Sequence, residues 1–418
     1  MTPEVKERIE QIRHGIVPEG YTKTKVGIVP SEWEETRFKK MFSRVTRKNR
    51  ENNDNVLTIS AQYGLINQRD FFNKDIASDD KSNYFLLENG EFAYNKSYSN
   101  GYPFGALKRL DMHDKGIVSP LYICFAATKE NECPDFYVHY FEAGKMNREI
   151  QAFAQEGARN HGLLNIAVDD FFNSNIVAPF VAEQKKIAEI LSAQDKVISL
   201  KEKLLTEKQR QKKALVQQLL TGKTRLPGFD GEWVDVRMGD IFEERVETNC
   251  QDLQLLSVTG INGIVPRSTI DTKDNSSEDK SKYLKICKGD IGYNTMRMWQ
   301  GVSALSEYEG IVSPAYTILI PSETISAKYF AYLFKMHAVI FLFYRFSQGI
   351  VDDTRSLKYH EFAKLHLNVP ADKKEQEAIA AILATADKEI EILQKDLDFA
   401  KQKKKALMQL LLTGIVRV

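Results

Sequence analysis

The residues best suited to chemistry in this chain fall in recurring loop segments, not in a catalytic cluster. After Tyr94-Asn95 comes Lys96-Ser97-Tyr98-Ser99-Asn100-Gly101-Tyr102, and after Tyr293-Asn294 comes Thr295-Met296-Arg297-Met298-Trp299-Gln300-Gly301. Two more segment pairs carry similar residue types: Gln62 to Arg69 with Thr259 to Arg267, and Gly157 to His161 with Gly349 to Arg355. Lys and Arg offer donors that suit guanine O6 and N7, while Asn and Gln suit adenine N6 and N7. The candidate DNA contacts are therefore Gln62, Tyr63, Asn67, Arg69, Lys96, Tyr98, Asn100, Tyr102, Arg159 and Asn160 in the first half. In the second half they are Asn262, Arg267, Thr295, Arg297, Trp299, Gln300 and Arg355. The plainer reading makes these loops solvated turns and pairs Arg297 with an acid such as Glu307 or Glu309.

Catalytic motifs are missing from the sequence. There is no G-x-x-x-x-G-K-[ST] phosphate loop, no H-E-x-x-H and no Asn/Asp-Pro-Pro-Tyr stretch. Pro134-Asp135 with Glu142 and Lys145 evokes a metal-dependent nuclease, but the Glu–Lys spacing is wrong. His360 and His366 read as ordinary polar positions, and no metal or cofactor site is expected in this chain.

The loops sit on two halves that match each other. Asp80-Lys81-Ser82-Asn83-Tyr84 answers Asp279-Lys280-Ser281-Lys282-Tyr283, and Gly116-Ile117-Val118-Ser119-Pro120 recurs unchanged as Gly310 to Pro314. Short β-branched and aromatic runs bounded by Gly, Asn and Asp predict strands. One helix is predicted in each half, over about Asp135 to Phe153 and Ala327 to Phe346. The matched scaffold with unmatched loops is the pattern expected of two heads that read different sequences.

A long repeat organises the whole. Glu183 to Gly222 aligns without a gap on Glu375 to Gly414, a shift of 192, and half the positions are identical. Neither copy has an interior Pro or Gly, and each closes in Thr-Gly, so each predicts one long helix. In the second copy Ile379, Leu383, Ala386, Ile390, Leu393, Leu397 and Ala400 alternate steps of four and three, the coiled-coil signal. The first copy is polar in the middle of that seam, at Gln194, Lys201, Lys208 and Lys212. The obvious partner for each helix is the other copy, paired antiparallel.

Met1 to Arg13 predicts a short helix, and 14–33 is a connector resembling 221–233. The C-terminus stops where the first long helix would enter its connector, so the N-terminal helix is expected to complete it in a circular organisation. The expected divisions are 1–28, 29–182, 183–225, 226–374 and 375–418, with α/β or α+β heads at 29–182 and 226–374.

Composition narrows the classes. The 418 residues are 43% hydrophobic and 28% charged, with net charge +1, so a generally basic coat for nucleic acid is excluded and a local patch is not. The start is charged, no run is long enough to span a bilayer, and the four cysteines show no CxxC. A cytoplasmic protein without a membrane partner is expected.

The double P-x(3–4)-EQ-x2-I-x2-IL…KK-x-L-x-Q-x-LLTG helix, with YNTMRMWQG…GIVSPAYTIL from Tyr293 to Leu319, resembles the specificity subunit of type I restriction–modification systems. The resemblance implies two tandem target recognition domains, each reading one half of a bipartite, asymmetric site in double-stranded DNA. It implies that the helices space the heads, in a pseudo-two-fold arrangement, and dock two methyltransferase subunits. S-adenosylmethionine would then belong to those partners, and ATP with magnesium to the restriction and motor subunits. This chain would be non-catalytic. Two other readings compete: a self-contained DNA-modifying enzyme with an unrecognised motif, and a scaffold that only joins proteins. Methyl transfer by the chain alone would favour the first, and lack of salt-dependent DNA binding by the complex would favour the second.

Overall fold

The computed structural model describes residues 2–60, 63–69, 80–99, 101–156, 164–260, 263–271 and 276–418. The chain divides into two units, one of Met1–Leu200 with Leu397–Val418 and one of Lys201–Asp396.

Each unit is built around the same four-stranded antiparallel sheet. In the first the order is Phe42–Arg44, Ile123–Ala127, Phe92–Asn95, Ala106–Arg109; in the second it is Phe242–Glu244, Tyr316–Pro321, Ile291–Asn294, Ser303–Leu305. Matching two-stranded ladders flank both sheets. Phe85–Glu88 pairs with Lys115–Val118 as Leu284–Ile286 pairs with Gly310–Val312. The hairpin Leu57–Ser60/Gly64–Asn67 answers Leu256–Thr259/Gly263–Pro266. The repeated Gly-Ile-Val seen in the sequence is thus one ladder strand used twice.

The single helix expected in each half is two. Pro134–Glu142 is followed by Asn147–Phe153, and Ala327–Leu333 by His337–Phe346. In the first head Gly144 lies between them at φ +66°, a conformation that ends a helix. Aromatic rings fill the space under each sheet. Phe38, Phe42, Phe92 and Phe125 are fully buried in one unit, and Phe242, Phe330, Phe334 and Phe362 in the other.

The long helices run Val181–Leu219 and Lys373–Leu411. Two segments of them enter each unit. Ile187 and Leu191 join Leu411 and Leu412 in the first core, and Leu219 and Leu220 join Ile379 and Leu383 in the second. Within each unit the segments run antiparallel, because partners rise in number on one helix as they fall on the other. In the first unit Arg417, just past the end of the second helix, meets Glu183 at 2.6 Å, while further along the first helix Asp195 meets Lys404 at 2.5 Å and Gln194 Nε2 donates to the Ala400 carbonyl at 3.2 Å. In the second, Lys201 meets Asp396 at 2.7 Å, Lys208 meets Glu389 at 2.8 Å, and Lys212 meets Asp387. Every polar residue that interrupts the first seam therefore has an acid or a carbonyl opposite it.

The circular organisation is visible in the contacts. Arg417 bonds Glu183 with both carboxylate oxygens at 2.6 and 2.7 Å, and Arg225 bonds Glu375 at 2.7 Å each. Both arginines and both glutamates differ by the repeat shift, so one latch is made twice. The N-terminal helix Pro3–Arg13 and its connector close the C-terminal end: Arg8 donates to the Ile415 carbonyl and the Tyr21 hydroxyl to that of Gly414. Gly414 and Gly222 sit at φ +67° and +69°; a Cβ at Gly414 would strike the Pro30 ring beside Trp33, and one at Gly222 would crowd the Trp233 indole. The left-handed backbone favours glycine at both, and the close approach of Pro30 reinforces it at Gly414.

Candidate nucleic-acid interface

The loop after the second sheet's Ile291–Asn294 strand is held from below. Asn294 Oδ1 accepts from the Met296 amide at 2.9 Å, which turns the chain. Met298 is fully buried and anchors a short 3-10 turn, Met298–Gln300. Lys335 closes the loop by donating to the Gly301 carbonyl at 2.7 Å. On this base Met296 and Gln300 are exposed, while Arg297 and Trp299 are half-buried. Thr295 points inward, bonded to Thr317 Oγ1 at 3.0 Å.

A second loop joins the first. The Leu357 amide donates to the Thr295 carbonyl at 2.9 Å, so the Gly349–Arg355 segment lies beside the Thr295–Gly301 segment. The Arg355 guanidinium sits 4.0 Å from the centre of the Tyr344 ring, and Trp299 packs edge-on against the same ring at 6.1 Å. The structure thus brings Thr295, Arg297, Trp299, Gln300 and Arg355 into one region of the second head. Arg267 opens a short 3-10 turn after the hairpin. Glu307 and Glu309, the acids considered for Arg297, pair with Lys288 at 3.6 Å and Lys285 at 3.3 Å.

The first head repeats the design with other side chains. Asn95 Oδ1 accepts from the Ser97 amide, and the Leu164 amide donates to the Lys96 carbonyl. Tyr98 and Tyr63 are exposed, the latter at the tip of the hairpin. Burial holds the Lys96 ammonium below its ordinary pKa. Tyr102 faces inward: its hydroxyl donates to Glu142 at 2.5 Å, beside a Lys108–Glu142 ion pair. Burial first, and then the Glu142 charge, push that phenol well up. Asn67 is engaged in shaping its turn, donating to Asn55 and accepting from the Arg69 amide. Gln62, Asn100, Arg159, Asn160 and Asn262 lie outside the described residues.

The acids of the nuclease-like group are held in ion pairs. Asp135 pairs with Arg109 at 2.6 Å, and Glu142 is held by Lys108 and Tyr102. Among the described residues no group of three or more His, Cys, Asp or Glu could hold a metal ion, and no helix is long and apolar enough to cross a membrane.

Sequence reasoning missed Tyr344. It lies in the apolar run 338–344, taken only for its hydrophobicity. The signal was the three-residue step from Phe341 to Tyr344, both exposed, opposite buried Val339 and Phe343.

Residues 230–401 match the family described as the type I restriction modification DNA specificity domain. The chain is 25% identical over 331 residues to the type I restriction enzyme MjaVIII specificity subunit of Methanocaldococcus jannaschii, covering 73% of this chain and 75% of that one. Among solved structures it is similar to the S subunit of a type I restriction–modification system from M. genitalium, with TM-score 0.52, 14% identity, and 91% and 96% of the two chains covered. A chain from a structural study of type I R-M complex assembly matches with TM-score 0.53 and 14% identity over 93% and 99%. These two likenesses show the fold. With its two repeated α/β heads and paired helices, the chain is similar over most of its length to specificity subunits of type I restriction–modification systems, and its residues 230–401 match that family's DNA specificity domain.

Proposed function

We propose that each head reads one half of a bipartite, asymmetric site in double-stranded DNA, and that the paired helices set the number of unread base pairs between the halves. The observation that carries this reading is one scaffold used twice with different loops. The turn-making Asn95 and Asn294 and the amide bonds to Lys96 and Thr295 are equivalent, while the residues displayed after them differ. The exposed outer faces of the helices dock two methyltransferase subunits, and restriction subunits join that complex. S-adenosylmethionine and the adenine chemistry reside in the methyltransferase subunits, and ATP with magnesium in the restriction subunits. This chain supplies the address and works in the cytoplasm with them.

The test is genome-wide mapping of methylated adenines in cells that express this chain with its partners. A single interrupted motif with unlike halves is expected. Exchanging residues 29–182 for the head of another such protein should then change one half only. Simultaneous change of both halves would sink independent reading.

A further inference from the structure

We infer that Tyr344 is a positioning residue for DNA readout, which holds Arg355 as a pre-oriented guanidinium fork aimed at a guanine edge. This rests on the proposed reading of the second head. The Tyr344–Arg355 stack is one of five cation–ring contacts among the described residues, and the shortest of them at 4.0 Å.

Three contacts fix the guanidinium. Its Cζ lies 4.0 Å from the centre of the Tyr344 ring, Nη2 donates to the Tyr344 hydroxyl at 3.2 Å, and Nε, which makes no hydrogen bond, is buried in an ion pair 3.4 Å from Asp352 Oδ1. Nε and Nη2 share one edge of the fork, so that edge faces protein. The remaining edge, formed by Nη1 and the second Nη2 hydrogen, carries two parallel donors. That pair matches guanine O6 and N7 in the major groove. The Arg355 side chain keeps 15% of its surface exposed.

The ring itself is braced. Trp299 abuts it edge-on, and Phe341 stacks beside it with planes 14° apart. The loop that carries Arg355 is closed at its neck by paired bonds between Gln348 and Ser356, at 2.8 and 2.7 Å. An arginine on a free loop would have to be ordered on binding, at an entropic cost. Here the ordering is already made in the free protein. A phosphate contact needs no such orientation, because phosphate accepts from many directions.

The experiment uses the chain assembled with its methyltransferase subunits, after its target has been mapped. Affinities are measured for the target and for every single-base variant of the half-site read by the second head, at several salt concentrations. Arg355→Ala is expected to lose roughly tenfold to a hundredfold of discrimination at one G·C pair, the range of one bidentate base contact, with the salt slope unchanged. Tyr344→Leu should lose discrimination at that same pair, and Tyr344→Phe, which keeps the ring, should recover part of it. A merely structural tyrosine would not single out that base. Full discrimination retained in Tyr344→Leu overturns the inference. So does a uniform loss on all sequences with the salt slope reduced by about one, which marks a phosphate contact. Tyr344 is partly exposed, and thermal unfolding of both Tyr344 variants checks that the head is intact; should the Leu variant not fold, the Phe variant with Arg355→Lys decides by the same readout. A wild-type complex with no sequence preference would instead sink the DNA-reading proposal itself.

Discussion

Lys145 shows what burial does to one charge. The side chain is half-buried between the two helices of the first head, and loss of water pulls its pKa down to about 8. Below that value the folded chain carries a poorly solvated ammonium, and the unfolded chain carries a solvated one. The cost to stability is therefore fully present at acidic and neutral pH. It is relieved as pH rises from about 8 toward the ordinary lysine value near 10.5, because the folded state has already released the proton that the unfolded state still holds. Lys145→Met should stabilise the first unit at pH 7 by about 1–2 kcal/mol, discounted for the part of the group that reaches water. The gain should shrink steadily above pH 8. Urea unfolding of both proteins between pH 6 and 10 measures it, and a gain that is flat with pH would remove burial as its cause.

At the same scale, Arg297 and Gln300 are expected to act on bases. Arg297→Ala in the assembled complex should cost about 1–3 kcal/mol at one base pair and leave other positions alone. A panel of single-base duplexes decides it. Uniform weakening would assign Arg297 to phosphate, and no effect would leave it as surface.

At the scale of elements, the repeated helices were legible because they repeat. A gapless copy and a four-three seam carry their own evidence within a single stretch of chain. The polar middle of the first seam was not legible. Lys208 finds Glu389 across 181 residues, and no local pattern announces a partner that distant. The break between the paired head helices was half legible, since Gly144 stands in the sequence, yet the second head breaks at Phe334–Met336 with no glycine at all. The loops were the least legible part. That they display polar and aromatic residues could be read off the chain, but whether Tyr102 and Asn67 face inward depends on Glu142 and Asn55, which only folding supplies. The cross-helix ion pairs are partly exposed, so each should be weak, about 0.2–1 kcal/mol. Lys208→Glu should destabilise the second unit by about that much, and adding Glu389→Lys should restore it. Thermal unfolding of the two single variants and the double variant closes the cycle. Additive losses would mean that the charges do not choose the register.

For the whole molecule, the circular build ties each head to the start of one long helix and the end of the other, so neither helix can be lengthened alone without straining a latch. A matched insertion after Leu200 and after Asp396, where the two units divide, avoids that conflict. If the helices set the spacing of the two half-sites, length and phase must both be satisfied. One heptad in each helix adds about 10 Å, which equals roughly three base-pair steps. It returns the helix face to within about 20°. Three base-pair steps, however, turn the second half-site by about 100° around the duplex. Single-heptad variants should therefore modify DNA poorly at every spacer. Three heptads add about 32 Å, close to the 34–36 Å of one full turn of DNA, which nearly restores the duplex phase while the helix face drifts by about 60° in all. The three-heptad variant is expected to recover modification at a spacer longer by about nine or ten base pairs. Methylation of duplexes whose spacer grows one base pair at a time measures this directly, with the gain in helical circular dichroism as the check on folding. A three-heptad protein that still prefers the parental spacer would show that something other than the helices measures the distance.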